Sequence, residues 1–141
     1  MEIINAEIKH FNDVYKLICE LENEQMDREK LFHIYEENTQ NPNVYYLLAQ
    51  IDFEIVGFVS VHVQQLLHHA EKTAEIQELI VAENKRGLGI GEALFAKAKE
   101  FAEEKECMQL EVCCNQARTR SHNFYFKQGM KNNHFKFTLL L

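Results

Sequence analysis

The stretch that most constrains this chain runs from Glu75 to Glu104, EIQELIVAENKRGLGIGEALFAKAKEFAEE. Its first part, Ile76 to Val81, is apolar and rich in β-branched residues, which predicts a strand. Glu83-Asn84-Lys85 interrupts the pattern, and Arg86-Gly87-Leu88-Gly89-Ile90-Gly91 follows. From Ile90 onward, Leu94, Ala98, Phe101 and Ala102 recur at helical spacing, with Lys97, Lys99, Glu100, Glu103 and Glu104 on the opposite side. The order is strand, glycine loop, helix. Glycines alternating with apolar residues at a helix start let successive backbone N–H groups point outward with no Cβ in the way. The helix start adds unpaired N–H groups and the positive end of its dipole. Together they form a pocket suited to a phosphate or pyrophosphate. A tight strand-to-helix turn without a ligand gives similar letters, so other parts of the chain must decide.

At 141 residues the chain has the length of one domain, read as residues 1–141. Apolar residues make up 46%, enough for a core. The sequence shows no apolar run of about 18 residues and no charged-then-apolar leader, which predicts a cytoplasmic protein without a membrane span. Cys19, Cys107, Cys113 and Cys114 lack C-x-x-C spacing and lie in apolar stretches. They read as small core residues in a reducing compartment. A net charge of −7 argues against nucleic acid as a partner and suits a cationic or zwitterionic small molecule.

In chain order, Met1 to Ile8 reads as a short strand. Asn12 or Asp13 can cap a helix carrying Val14, Leu17, Ile18 and Leu21, and a second helix runs from about Arg28 to Asn38. Asn41-Pro42-Asn43 ends it. Val44 to Ile51 and Ile55 to Gln65 form a hairpin around Asp52-Phe53-Glu54, without the glycine that usually marks such a turn. Along the second strand, Phe58, Ser60 and His62 face one way and Val59, Val61 and Val63 the other. Leu66 to Thr73 reads as a loop containing His68 and His69. After the glycine-loop helix come a strand from Met108 to Cys114, a helix from Arg118 to Lys127 stopped at Gly129, and a strand from His134 to Leu141. The fold class is α/β (α+β): a mixed, mostly antiparallel sheet of six to seven strands, the Ile76–Val81 strand central, with helices on both faces.

The glycine loop fits neither G-x-G-x-x-G nor the nucleotide P-loop. After a strand ending in Val81, Arg86-x-x-Gly89-x-Gly91 resembles the acetyl-CoA pyrophosphate loop of the GNAT N-acetyltransferase superfamily. Asn123 to Met130, NFYFKQGM, resembles the F-Y-x-x-x-G-[FY] helix near the C-terminus of that superfamily, with Met130 replacing the usual aromatic residue. The resemblance implies that acetyl-CoA is bound along Leu79, Ile80 and Val81 and by Arg86, Gly87, Leu88, Gly89, Ile90 and Gly91. It also implies that Asn115 holds the pantetheine or diphosphate arm and that Tyr125 protonates the leaving thiolate.

Acetyl transfer to an amine requires removal of a proton from an ammonium of pKa roughly 10. It also requires a donor for the developing oxyanion and an acid for the thiolate. A backbone N–H at Leu79 or Ile80 can supply the donor. Glu75, six residues before Val81, occupies the register at which related transferases place a glutamate base. Glu78 is the rival. Strict alternation puts the two on opposite faces, and a bulge would change that count.

LICEL at 17–21, NPN at 41–43, LHHA at 67–70, EIQEL at 75–79 and HFKFT at 134–138 together closely resemble the bacterial aminoalkylphosphonate N-acetyltransferases. The glycine loop RGLGIG is closer to the general superfamily form. This resemblance implies acetylation of a small aminoalkylphosphonate, helped by a divalent metal ion. A phosphonate dianion calls for Arg, His or Lys donors or a bridging metal, and His68, His69, Arg118, His122 and His134 are the candidates. Other acceptors stay open, namely a polyamine, an aminoglycoside, an amino acid or a peptide, as does a non-catalytic acyl-CoA sensor. Retention of both Glu75 and Tyr125 speaks against the sensor. The apolar end, Phe137 to Leu141, suits pairing with a second subunit's sheet edge in a homodimer.

Overall fold

Alternating apolar side chains from Val44 to Val81 give three strands with one face for each of two helical layers. The computed structural model describes residues 1–141. Its elements are β1 (Glu2–Asn5), a 3-10 turn (Ile8–His10), α1 (Phe11–Glu22), α2 (Arg28–Gln40), β2 (Val44–Ile51), β3 (Glu54–Leu66) and β4 (Glu71–Val81). A 3-10 turn (Glu83–Lys85), α3 (Ile90–Glu104), β5 (Gln109–Val112) and α4 (Thr119–Lys127) follow. Residues 1–111 and 112–141 form two compact units.

The five strands lie in the order β1-β2-β3-β4-β5, with antiparallel ladders from β1 to β4. The sheet therefore has five strands where six to seven were expected, and its centre is β3 instead of β4. His134–Leu141, expected as a last strand, has no regular secondary structure, and Phe135, Phe137, Leu139, Leu140 and Leu141 are exposed. Alternation gives a segment strand propensity, but a strand also needs a neighbour for its backbone N–H and C=O groups.

Local chemistry accounts for the boundaries. α1 begins at Phe11, before the expected caps Asn12 and Asp13, because the preceding turn closes on itself. There the Glu7 N–H donates to His10 Nδ1 and the His10 N–H to the Glu7 carbonyl, both at 3.0 Å. The Asp27 carboxylate caps α2 by accepting from the Lys30 N–H at 3.0 Å. Ile51 pairs with Glu54, so the β2–β3 turn is Asp52-Phe53, both left-handed at φ 48° and 66°. That is the hairpin-compatible twist of a type I′ turn, reached without glycine. The loop expected over Leu66 to Thr73 shrinks to four residues, 67–70, because β3 and β4 stay paired out to Leu66 and Glu71.

α1 and α2 cover one face of the sheet, where Phe11, Val14, Leu17, Ile18 and Tyr35 pack with Leu48, Phe58 and Ile80. α3 covers the other through Ile90 and Leu94. Gly57 allows this approach, since a Cβ there would lie 2.9 Å from Leu94 Cδ1 and 3.3 Å from the Ile80 carbonyl oxygen. Leu48 and Leu94 are fully buried, and truncating either to Ala should cost about 2–5 kcal/mol. Exposed pairs such as Lys9–Glu7 (3.8 Å) contribute about 0–1 kcal/mol each. The core, not the surface ion pairs, holds residues 1–111 together.

Candidate active site

The glycine loop takes the form its letters demand. Gly87 and Gly89 both sit at φ 78°, and a Cβ on either would meet nothing within 4 Å. Glycine is required there by backbone conformation, not by crowding. Gly89 is the N-cap of α3 and offers no side-chain cap, Ile90 is buried beneath it, and Gly91 lies in the first turn. The first helical N–H groups are left to the outside, so the loop can hold a diphosphate. Leu88 is exposed between the glycines.

Arg86 is engaged within the protein. Its Nε donates to the Val81 carbonyl at 3.0 Å, and a terminal nitrogen lies 3.4 Å from Glu20 Oε1. The same Glu20 oxygen accepts from the Glu83 N–H at 2.8 Å. Arg86 thus braces the loop against α1, while Lys85 lies 3.8 Å from Glu54. The backbone N–H groups at the start of α3 are left as the loop's open donors.

On β4 the bulge that sequence alone left open is present. Ser60 pairs with Glu78 and Val61 with Ile76, leaving Gln77 as the extra residue. Glu78 therefore sits opposite Ser60, and Glu75 opposite His62. Ser60 and His62 share the face of Phe58, which packs against α1 and α2. Both carboxylates consequently lie on the α1/α2 side of the sheet. The Glu78 carboxylate accepts the Ser60 hydroxyl proton, and the Glu78 N–H donates to Ser60 Oγ at 3.0 Å. Glu75 makes no side-chain hydrogen bond or ion pair. Leu79 and Ile80, the expected oxyanion donors, follow directly after the bulge.

Tyr46, opposite Ser60 on β2, extends this polar group. Its ring stacks on Tyr35 at 5.5 Å, and its oxygen accepts from Asn38 Nδ2 at 2.7 Å. Burial pushes the Tyr46 hydroxyl up to about 12, with the Asn38 hydrogen bond opposing and the Glu78 charge adding. Tyr46 is therefore a neutral donor near pH 7. Tyr35 is also raised, first by burial, and donates to the Glu7 carbonyl at 2.7 Å.

Within residues 112–141, Asn115 organises the start of α4. Its Oδ1 accepts from the Ala117 N–H at 2.9 Å, and its carbonyl lies 2.8 Å from His122 Nε2, which donates. Arg118 is exposed at the N-cap of α4. Tyr125 is half-buried, and burial pushes its hydroxyl up to about 12; the Cys114 thiol group adds to the shift and Arg118 opposes it. Gly129 ends the helix at φ 87°.

The remaining histidines are scattered. His68 and His69 sit at the tip of the β3–β4 hairpin, their rings 4.1 Å apart, with His69 Nε2 3.9 Å from Glu111. Four strand residues beyond the tip separate them from Glu75, about 13 Å of strand. His134 is exposed in the C-terminal segment. No three His, Cys, Asp or Glu side chains gather closely enough to hold a metal ion. A cavity of about 600 Å³ lined by His10, Tyr45, Leu47 and Lys97 contains none of the expected site residues.

Residues 11–130 match the model of the acetyltransferase (GNAT) family. The chain belongs to the GNAT family of acetyltransferases. It is an acetyl-CoA-dependent N-acetyltransferase. This acetyltransferase is 39% identical over 140 residues to an aminoalkylphosphonate N-acetyltransferase of Salmonella typhimurium, covering 99% of this chain and 91% of that one. Its fold resembles that of a protein described as a transcriptional regulator from Bacillus halodurans C-125, with TM-score 0.91, 21% identity and 99% coverage of both chains. It also resembles an aminoglycoside N-acetyltransferase solved with CoA, at TM-score 0.89 and 15% identity, covering 99% of this chain and 93% of that one. At these identities the two structures speak to fold alone.

Sequence reasoning about the acetyltransferase missed Ser60, His62 and Tyr46 beside the two glutamates, and Asn38 as the partner of Tyr46. The signal was available in part, since Ser60 and His62 are polar residues on one face of an otherwise apolar strand.

Proposed function

We propose that the chain, working as one domain, transfers the acetyl group of acetyl-CoA to the primary amine of a small aminoalkylphosphonate. The acceptor assignment is carried by likeness to the Salmonella protein over nearly the full length of both chains. In this reading the glycine loop and the start of α3 take the diphosphate on backbone N–H groups, and Asn115 contacts the pantetheine or diphosphate arm. The amine loses its proton to Glu75, a carboxylate with no partner of its own. Its nitrogen then attacks the thioester directly in a ternary complex. The C–N bond forms first, and a backbone N–H at Leu79 or Ile80 meets the tetrahedral oxyanion. Its collapse breaks the C–S bond, the thiolate takes the Tyr125 proton, and the second proton shed by the nitrogen restores the tyrosine. Tyr125, its hydroxyl raised to about 12, keeps its proton for the departing thiolate.

Arg118 and His122 are the proposed phosphonate contacts, and His68, His69 and His134 are further candidates. The resemblance also implies a divalent metal ion. The protein side chains do not form a cage for one on their own, so no step here runs through it. The exposed end, Phe137–Leu141, is proposed to meet a second copy in a homodimer. Neither nucleic acid nor membrane is a proposed partner: the net charge is −7, and no helix is long and apolar enough to cross a membrane. The proposed compartment is the cytoplasm.

CoA-thiol release with acetyl-CoA and a panel of amines, with and without added divalent metal, tests this function. Turnover on aminomethyl-, 1-aminoethyl- and 2-aminoethylphosphonate is expected. Turnover only on spermidine, aminoglycosides or amino acids would move the acceptor to those amines. Silence with acetyl-CoA still bound would favour a sensor or a peptide acceptor.

A further inference from the structure

Ser60 lies in the middle of β3, fully buried between Val59 and Val61. A hydroxyl placed there without partners would cost about 1–3 kcal/mol, and an alanine would fill a small site with no such cost. Both of its hydrogen-bonding capacities go to one residue. The oxygen accepts from the Glu78 N–H at 3.0 Å, and the hydroxyl proton goes to the Glu78 carboxylate. This double contact stands beside the bulge at Gln77, where the register between β3 and β4 shifts. Ser60 thus closes the irregular stretch of ladder and restricts the Glu78 side chain in the same act.

We propose that Ser60 is a positioning residue that holds the Glu78 carboxylate on the α1/α2 face as the docking point for the acceptor's ammonium. The inference rests on the acetyltransferase acting on a small amine. It gives the two glutamates different work. Glu78, already accepting a hydrogen bond from the Ser60 hydroxyl and fixed in place, attracts the cation; Glu75, on the same face and without a partner, takes the proton. A free glutamate on a strand would sample several rotamers, and each acceptor molecule would have to order it on binding. Ser60 bears that ordering in the folded protein. An ammonium facing a fixed carboxylate gains a charge-assisted contact of defined direction.

The test uses Ser60→Ala, Glu78→Gln and the double variant in the full chain. Amine KM and kcat are measured at saturating acetyl-CoA, alongside acetyl-CoA affinity and thermal melting. Ser60→Ala is expected to raise the amine KM about ten-fold, with acetyl-CoA affinity unchanged within about two-fold. The double variant is expected to be no worse than Glu78→Gln, because Ser60 acts through Glu78. Ser60→Thr, which keeps the hydroxyl, should stay near the unmodified chain and decides the matter if Ser60→Ala melts too low to assay. An unchanged amine KM in Ser60→Ala would overturn the inference. So would losses that multiply in the double variant, or a ten-fold loss in folded Ser60→Thr. Failure of the unmodified chain to acetylate any amine would overturn the underlying acetyltransferase reading instead.

Discussion

Single residues divide into those whose environment matches their proposed work and those already committed elsewhere. Tyr125 belongs to the first group. Its hydroxyl, pushed to about 12 chiefly by burial, keeps its proton well above the ordinary tyrosine value of roughly 10. The protonated form is the active form of an acid, so a raised pKa extends its working range upward. The contribution of Tyr125 to turnover should stay level through pH 10 and fade only toward 12. Tyr125→Phe is expected to lower kcat about a hundred-fold or more while leaving acetyl-CoA affinity within about two-fold. Steady-state rates and calorimetric titration check this, and an indifferent kcat would remove Tyr125 from the chemistry. Arg86 belongs to the second group. Its resemblance to a loop arginine is legible in the letters, but its contact with Glu20 on α1 is not, because α1 lies far away in sequence.

At the scale of elements, the part of the site built from consecutive residues was legible and the part built across strands was not. Gly87, Gly89 and α3 follow from local rules: alternating glycines, then a helical apolar period. The bulge at Gln77 depends on how β4 pairs with β3, and that single register shift decides whether Glu75 and Glu78 share a face. Alternation in one strand could only state the alternatives. β5 came out shorter than expected, and Arg118 became the N-cap of α4 instead of its first residue, the usual fraying of boundaries read from pattern alone. The loop carries its own test. Gly89→Ala forces a side chain into φ 78°, a left-handed conformation costing about 1–2 kcal/mol. It should weaken acetyl-CoA binding about ten-fold and lower the melting temperature by a few degrees. Unchanged affinity, measured by calorimetry, would show that the α3 N–H groups are not the phosphate cradle.

For the molecule as a whole, the family, the layered sheet and the glycine loop's place before α3 could be read from the chain, while the number of strands could not. His134–Leu141 has the alternation of a strand, yet Phe135, Phe137 and Leu139–Leu141 stand exposed. An apolar segment of that kind is an interaction surface or an aggregation risk. If it meets a second copy, light scattering on a sizing column should give a dimer mass, and Leu139→Lys with Leu141→Lys should give a monomer. A monomeric mass for the unmodified chain would remove the dimer.

The most direct measurement of the central claim is a competition. Acetyl-CoA is supplied to an equimolar mixture of 2-aminoethylphosphonate, its carboxylate counterpart and spermidine, and the acetylated products are quantified by mass spectrometry. The ratio of products reads the ratio of kcat/KM values directly. The account predicts that the acetylated phosphonate dominates by at least about ten-fold. Equal or faster acetylation of the carboxylate or of spermidine would contradict it, leaving an acetyltransferase whose acceptor lies elsewhere.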